Sequence, residues 1–400
     1  MKNTIVKSLL IILGEIYMIY LDNASTSFPK PNEVYAEVVN CMQNYAANPG
    51  RGRYDMGIKA ANKIMETRHE LGSIFNIPNP FNIIFTCNAT EALNIAIKGM
   101  LKPGNHVIST VIEHNSVLRP LSYLSRKGIK VTFLGVNKYG YIDKAGLKKE
   151  IKKNTKAIII NHASNVLGTI QHIKAIGEIA KENGITFMVD ASQSAGIISI
   201  DVQRDNIDIL AFPGHKGLFG PQGTGGLYVR EDIRLEEFKS GATGNNSYSI
   251  DQPDFLPDKF ESGTLNTPGI VGLGEGIRFI KKVGRRTIQK HEEMLTEYLL
   301  YELKKLDFVK IYGSSSYKNR CAVISINLIG KASTEVGYLL DRKEIAVRTG
   351  YHCAPLIHGI IGTSKEGTVR ISPGYFNTYE DIEKIVVALK EIYLGIIKES

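Results

Sequence analysis

Residues 185–217 read ITFMVDASQSAGIISIDVQRDNIDILAFPGHKG and contain two apolar runs, each of which stops on a chemically able side chain. ITFMV (185–189) is followed by Asp190, and IDILAF (207–212) by Pro213, Gly214, His215 and Lys216. Short runs rich in β-branched and aromatic residues, bounded by Gly, Asn and Pro, read as strands buried on both faces of a parallel sheet. Working outward, the same pattern recurs in NIIFT (82–86), HVIST (106–110), KVTFL (130–134), KAIII (156–160) and GGLYV (225–229). Amphipathic segments such as TEALNIAIKGML (90–101) and IKAIGEIAKENG (173–184) lie between them and read as crossover helices. Seven strands with helical crossovers predict an α/β fold whose sheet is mostly parallel and flanked by helices.

Beyond about residue 262 the pattern changes. Two long helical stretches cover 270–306, then strand-like FVKIY (308–312), AVISINL (322–328), IAVRT (345–349) and TVRIS (368–372) alternate with helices near 333–342 and 379–395. This reads as a smaller α+β C-terminal domain. The expected division is an N-terminal extension over 1–17, a large domain over 18–262 and a small domain over 263–400. The extension has an apolar stretch too short to span a bilayer and no small-residue cleavage site after it, and Met18 opens the first turn-rich segment.

Composition is that of a soluble globular chain, with 43% hydrophobic and 22% charged residues among 400. The formal charge of +9 comes from lysines scattered along the chain. With no basic run interleaved with aromatics, nucleic-acid binding is not expected, and anionic small molecules fit the charge equally well. Cys41, Cys87, Cys321 and Cys353 form no CxxC pair and no regular framework, which fits a reducing cytoplasm. Cys41, Cys87 and Cys321 are expected to be buried filler.

Ligands of open α/β sheets bind beyond the carboxyl ends of the strands, so the residues just after each run matter most. Ala89 and Thr90 follow NIIFT at the start of a helix, where free amides and the helix dipole favour an anion; taken alone, Thr90 reads first as a simple cap. His114 follows HVIST, Asn165 follows KAIII, Asp190 and Gln193 follow ITFMV, and His215 and Lys216 follow IDILAF. Each has a bland reading as cap, satisfied core residue or surface. Together they match one cofactor. Pyridoxal 5'-phosphate needs an amine for covalent attachment, an anion site for its phosphate and a carboxylate facing its ring nitrogen. Lys216, the turn at Ala89–Thr90 and Asp190 supply these, and His114 supplies a plane to stack on the ring. The glycines around Lys216 would let the backbone close on the phosphate.

DNAST (22–26), NATEALN (88–94), EHNSVL (113–118), SNVLG (164–168), VDASQSAG (189–196), GHKGLFGPQGTGGLY (214–228) and FESGTLNTPG (260–269) resemble, in order, the motifs of class V pyridoxal-phosphate enzymes of the cysteine desulfurase group. The resemblance implies the fold type I transferase architecture and a homodimer. RTGYHCAPLIHG (348–359) resembles the Suf-type branch, which includes selenocysteine lyases. By that resemblance Cys353 is the nucleophile that takes sulfur from L-cysteine, leaving L-alanine and a persulfide destined for an acceptor protein. Arg348 lies near it in sequence, and an electropositive setting is what a reactive thiol needs. Also by resemblance, Arg370 clamps the substrate carboxylate, Asn165 contacts cofactor and substrate, Gln193 contacts the cofactor, and Thr264 reaches the phosphate from a partner subunit. His114 is the proposed proton donor or acceptor.

Two departures stand out: Pro213 occupies a position where relatives usually carry Ser or Thr, and NPGRGRYDMG (48–57) lacks a histidine that many relatives have, leaving Arg53 or Tyr54 in that space. HCAPLIH resembles a metal stretch through Cys353 and His358, but a structural zinc wants four partners, so no metal is expected. The alternatives are a selenocysteine lyase, which uses nearly the same parts, and a class V aminotransferase, which has no need of Cys353.

Overall fold

The computed structural model describes residues 18–49, 54–244 and 248–396. The N-terminal extension and Arg53 lie outside the described residues. In chain order the first elements are β1 (Ile19–Tyr20), α1 (Asn32–Asn44), α2 (Asp55–Phe75), β2 (Ile83–Thr86), α3 (Ala89–Met100), β3 (His106–Thr110), α4 (Asn115–Ser125), β4 (Lys130–Leu134) and α5 (Lys144–Glu150). They are followed by β5 (Thr155–Asn161), α6 (Ile173–Glu182), β6 (Thr186–Asp190), β7 (Ile209–Pro213) and β8 (Gly225–Val229).

The seven strands β2 to β8 form one sheet in the order β2-β8-β7-β6-β5-β3-β4. All seven runs anticipated from sequence are there. Pairings among β3 to β7 are parallel, whereas β8 runs antiparallel to both its neighbours. The reason is the short 214–224 connection: a parallel crossover needs a dozen or more residues and usually a helix. The carboxyl ends of β2, β3, β5, β6 and β7 therefore share one edge with the start of β8. Register aligns Asn161 with Asp190 and Asp190 with Ala211 across that edge.

Each face of the sheet carries its own apolar core. One includes Leu71 and Phe75 of α2, Ile176 of α6, and Phe187 and Phe212 from the strands. The other packs Leu93 and Ile97 of α3 and Leu121 of α4 against Ile84, Ile159 and Leu227. Removing any of these large buried side chains costs about 2–5 kcal/mol, since interiors refill poorly.

The rest of the chain gives α7 (Thr267–Val283), α8 (Arg285–Leu303), β9 (Val309–Tyr312), β10 (Ile324–Leu328), α9 (Ser333–Asp341), β11 (Ile345–Ala346), β12 (Arg348–Gly350), α10 (Pro355–Ile360), β13 (Thr368–Ile371) and α11 (Tyr379–Tyr393). A four-stranded antiparallel sheet, β12-β13-β10-β9, anchors this unit. IAVRT is not one strand. Ile345–Ala346 pairs with β1, and Arg348–Gly350 turns away to pair with β13.

Packing divides the chain differently from a cut at 262/263. Ile19 and Leu21 belong to the C-terminal core, with Leu299, Ile326 and Ile371, while Ile270, Leu273 and Ile277 of α7 pack into the core of the large sheet. The N-terminal segment thus bridges both units. Among the described residues no helix is long and apolar enough to cross a membrane.

Candidate active site

A cavity of about 210 Å³ opens at the shared strand edge. Ala89, Thr90, His114, Asn165, Asp190, Gln193, His215, Lys216 and Arg348 all line it. Nine residues chosen from sequence thus meet in one hollow.

Helix α3 starts at its wall. Its cap is Asn88, whose side chain accepts from the Glu91 amide at 2.9 Å, so Thr90 is not the cap. The Thr90 hydroxyl instead lies 2.7 Å from Ser116 Oγ, and the amides of Ala89 and Thr90 sit in the first turn, where a helix has no acceptor of its own. A first turn of this kind suits an anion.

Asp190 is buried at the end of β6. Its Oδ1 accepts from the Ser192 amide at 2.9 Å and from Ser192 Oγ at 2.5 Å, which fixes the carboxylate while leaving its second oxygen out of that turn. Lys216 shares the cavity with it. Burial, reinforced by the nearby Arg370 charge, lowers the Lys216 amine from the usual lysine range to about 8.

His114 Nδ1 accepts from the Ser116 amide at 3.0 Å, so the neutral ring carries its proton on Nε2. Burial lowers this imidazole to about 4, which keeps it neutral at physiological pH. Behind it Glu113 is fully enclosed: Oε1 accepts from Thr110 Oγ1 at 2.6 Å and from the Asn161 amide at 3.1 Å, and burial raises the carboxyl to about 8.

Cys353 stands beside this cavity. It lines a second hollow of about 550 Å³, and Thr90, His114 and Ser116 form walls of both. His352 and Cys353 have φ of 49° and 60°, two consecutive non-glycine residues in the left-handed region, which costs energy and is found where surroundings enforce it. Here the enforcement is visible. The Cys353 carbonyl accepts from the Asn115 amide at 2.7 Å, and the His352 carbonyl accepts from Asn165 Nδ2 at 2.5 Å. His352 Nε2 lies 2.8 Å from Thr368 Oγ1, and His358 Nδ1 lies 2.7 Å from Thr363 Oγ1. Arg348 Nη2 approaches Cys353 Sγ to 3.2 Å.

Probable cysteine desulfurases of Methanothermobacter thermautotrophicus and Pyrococcus abyssi are 35% and 34% identical to this chain, each match covering 94% of both sequences. The apo structure of a cysteine desulfurase from Thermococcus onnurineus matches with a TM-score of 0.89 at 34% identity, covering 94% of this chain and 95% of that one. The model of the class V aminotransferase family matches residues 19–385. The chain belongs to this family, in its cysteine desulfurase group.

Within this class V chain two predicted residues lie elsewhere. Arg370 is buried behind the cavity wall, its Nη2 donating to Asp22 Oδ1 at 2.7 Å and to Ser25 Oγ at 2.8 Å, and its Nη1 to the Asn165 carbonyl at 3.1 Å. Thr264 is exposed and lines a different hollow, with Arg68 and Glu261. Gln193 Nε2 donates to the Ala24 carbonyl at 3.0 Å.

Three expectations need correction. Cys87 is exposed rather than buried, with Glu91 beside it raising its thiol. The glycines around Lys216 do not open space for a ligand: a Cβ on Gly217 would lie 2.5 Å from the Ala195 carbonyl, and one on Gly225 would lie 2.8 Å from the Asn88 backbone. They permit protein to pack on protein. Thr90 as the cap is replaced by Asn88, as above.

Sequence reasoning missed the segment 22–30. Thr26 Oγ1 and Lys30 Nζ both donate to the His215 carbonyl, at 2.9 and 2.7 Å, and Ser27 Oγ donates to the Lys216 carbonyl at 2.9 Å. DNAST was legible as a motif, but nothing in its spacing points across the fold to residue 216. Asn165 Oδ1 and His215 Nδ1 are buried without a partner among the described residues, which marks the cavity as a place for a polar guest. A helix N-terminus, a fixed carboxylate and a lysine of lowered basicity fit the phosphate, ring nitrogen and aldehyde of pyridoxal phosphate. Among the described residues no group of three His, Cys, Asp or Glu could hold a metal ion.

Proposed function

We propose that this chain is a pyridoxal-phosphate-dependent cysteine desulfurase that converts L-cysteine to L-alanine and carries the sulfur as a persulfide on Cys353. The observation that carries the reading is the Cys353 thiol, 3.2 Å from the Arg348 guanidinium on a strained loop, sharing wall residues with the cavity of Lys216 and Asp190. A class V aminotransferase has no use for a thiol held this way.

The first turn of α3 would hold the phosphate, Asp190 would face the ring nitrogen, and Lys216 would bind the aldehyde carbon. Held so, pyridoxal phosphate supplies an electron sink that acidifies the substrate Cα–H and weakens the C–S bond. Arg348 and Arg370 orient the substrate carboxylate. Lys216, with its basicity lowered to about 8, moves the proton at Cα near neutral pH. His114 donates from Nε2, being neutral with Nδ1 already bound to the Ser116 amide. Cys353 Sγ attacks the substrate sulfur: an S–S bond forms, the C–S bond breaks, and the carbon skeleton leaves as alanine after gaining a proton.

We further propose a cytoplasmic homodimer. Thr264 is exposed and outside its own chain's cavity, so a phosphate contact from Thr264 requires a second copy. The persulfide then passes to an acceptor protein.

The test is alanine formed from L-cysteine by the cofactor-loaded protein with a reductant, repeated with Cys353→Ser. Multiple turnovers that collapse in the serine variant support the desulfurase. Unchanged turnover in Cys353→Ser would overturn the assignment, and turnover with selenocysteine alone would move it to a lyase.

A further inference from the structure

Ser25 sits where three charged groups meet. Its hydroxyl donates to Asp22 Oδ1 at 2.8 Å and accepts from Arg370 Nη2 at 2.8 Å and from Arg348 Nη1 at 3.2 Å. One donor and two lone pairs are the whole capacity of a serine hydroxyl, so it is saturated. Ser25 and Arg348 face the cavity, while Arg370 is buried behind them. Arg370 is held in addition by Asp22 at 2.7 Å and by the Asn165 carbonyl at 3.1 Å, and its Nε is buried without a partner among the described residues. Arg348 places its other Nη 3.2 Å from Cys353 Sγ.

Among the described residues Asp22 pairs with Arg370 alone, while Arg348 reaches only the Ser25 hydroxyl and the Cys353 thiol, so the cluster keeps an excess positive charge at the cavity. An anionic group entering beside Ser25 would balance it. The arginine side chains are long, and each has several rotamers available. A hydroxyl bonded to both removes that freedom before the substrate arrives.

We propose that Ser25 is a positioning residue that determines substrate specificity: it locks Arg348 and Arg370 into one carboxylate-reading pair and, through Arg348, ties that pair to the Cys353 thiol. The proposal rests on the cysteine desulfurase reading for the identity of the substrate, but not for the preference for a carboxylate. Deleting the hydroxyl should weaken only ligands that carry a carboxylate.

The experiment uses the holoenzyme and two small thiols. 3-Mercaptopropionate has the carboxylate and no amine, whereas cysteamine has the amine and no carboxylate. Binding is measured by calorimetry for wild type, Ser25→Ala and Ser25→Thr, with cofactor absorbance recorded to confirm loading. Deleting the hydroxyl releases both guanidinium groups from their shared partner, and the ordering they must then undergo on binding predicts that Ser25→Ala weakens 3-mercaptopropionate about tenfold and leaves cysteamine within about twofold. Ser25→Thr, which keeps the hydroxyl, restores affinity. In turnover the alanine variant should raise KM for L-cysteine more than it lowers kcat. Should Ser25→Ala fail to load cofactor, Ser25→Gly deletes the same hydroxyl.

Equal weakening of both thiols would reduce Ser25 to a structural residue and overturn the proposal. So would wild-type binding of 3-mercaptopropionate by the alanine variant, or failure of the wild type to bind it. If the wild type forms no alanine from cysteine while the two thiols still separate on Ser25, the desulfurase reading falls and the assignment of Ser25 stands.

Discussion

Lys216 allows a direct test of the electrostatics of the site. In water a lysine amine near 10.5 is neutral in roughly one molecule in three thousand at pH 7, whereas one lowered to about 8 is neutral in roughly one in ten. The enclosure of Lys216, with Arg370 near it, therefore raises the population of nucleophilic amine about 300-fold at neutral pH. The perturbation is pH itself, applied to apoprotein freed of cofactor. Pyridoxal phosphate is added, and the initial rate of covalent attachment is followed by absorbance between pH 6 and 10.5. The rate should rise about tenfold per pH unit up to about 8 and then level off. Lys216→Ala should abolish the signal. Arg370→Gln, by removing one of the charges that lower the amine, should move the bend to higher pH. A rate that keeps climbing log-linearly to pH 10 would refute the reasoning, because it would mean an ordinary solvated lysine. Stability carries the same signature. Between pH 8 and 10.5 the unfolded chain binds the proton that folded Lys216 has released, so this group makes apoprotein stability rise with pH across that window.

Glu113 has the opposite sign. Its folded value near 8 lies above the unfolded 4.5, so the native state keeps a proton the unfolded chain gives up, and its contribution to stability is lost as pH rises between those values. Glu113→Gln cannot ionise, and its gain over wild type should grow by on the order of 4 kcal/mol from pH 4.5 to above 8. Urea unfolding of both proteins at pH 5.5 and 8.5 checks this, and a pH-independent difference would sink it. Gly217→Ala should cost about 1–3 kcal/mol, because its Cβ meets the Ala195 carbonyl, and should leave the absorbance of bound cofactor intact. A variant of normal melting temperature that fails to hold cofactor would instead mean that the glycine serves the ligand.

The large sheet was legible because its strands, apart from the half-exposed edge strand β4, are largely buried, and burial writes itself into sequence as unbroken β-branched runs. The strand ends were legible for a related reason: polar residues that interrupt such runs at one edge of an α/β sheet have few structural duties there. What stayed hidden depends on contacts remote in sequence. Ile19–Tyr20 is too short to announce a strand, and it becomes one only because Ile345–Ala346 offers it an edge. IAVRT looks continuous, yet its two halves find different partners. The antiparallel course of β8 could have been read from the brevity of 214–224, since length alone excludes a crossover. The glycines beside Lys216 were recognisable as special but not for the right reason, because the backbone they accommodate, Ala195, belongs to another loop.

The same logic explains how the two halves of the site come into register. Lys216 and Asp190 stand on the large sheet, while Cys353, Arg348 and Arg370 are carried by the C-terminal unit. The chemistry proposed between Lys216 and Cys353 would need these units fixed to within a fraction of an ångström, since small misplacements are costly in rate. The segment 19–30 does this from both sides. Ile19 and Leu21 lie in the C-terminal core, and the Leu21 carbonyl accepts from the Ser372 amide at 2.7 Å. Ser25 then engages both arginines. A few residues on, Thr26, Ser27 and Lys30 grip the carbonyls of His215 and Lys216. Asn165 forms a second tie, from the large unit to the His352 carbonyl. A third tie runs from the Asn115 amide to the Cys353 carbonyl, at 2.7 Å. The N-terminal segment and the two asparagines thus converge on the thiol and the amine, and substitutions in the segment or at Asn165 should disturb sulfur transfer before they disturb folding.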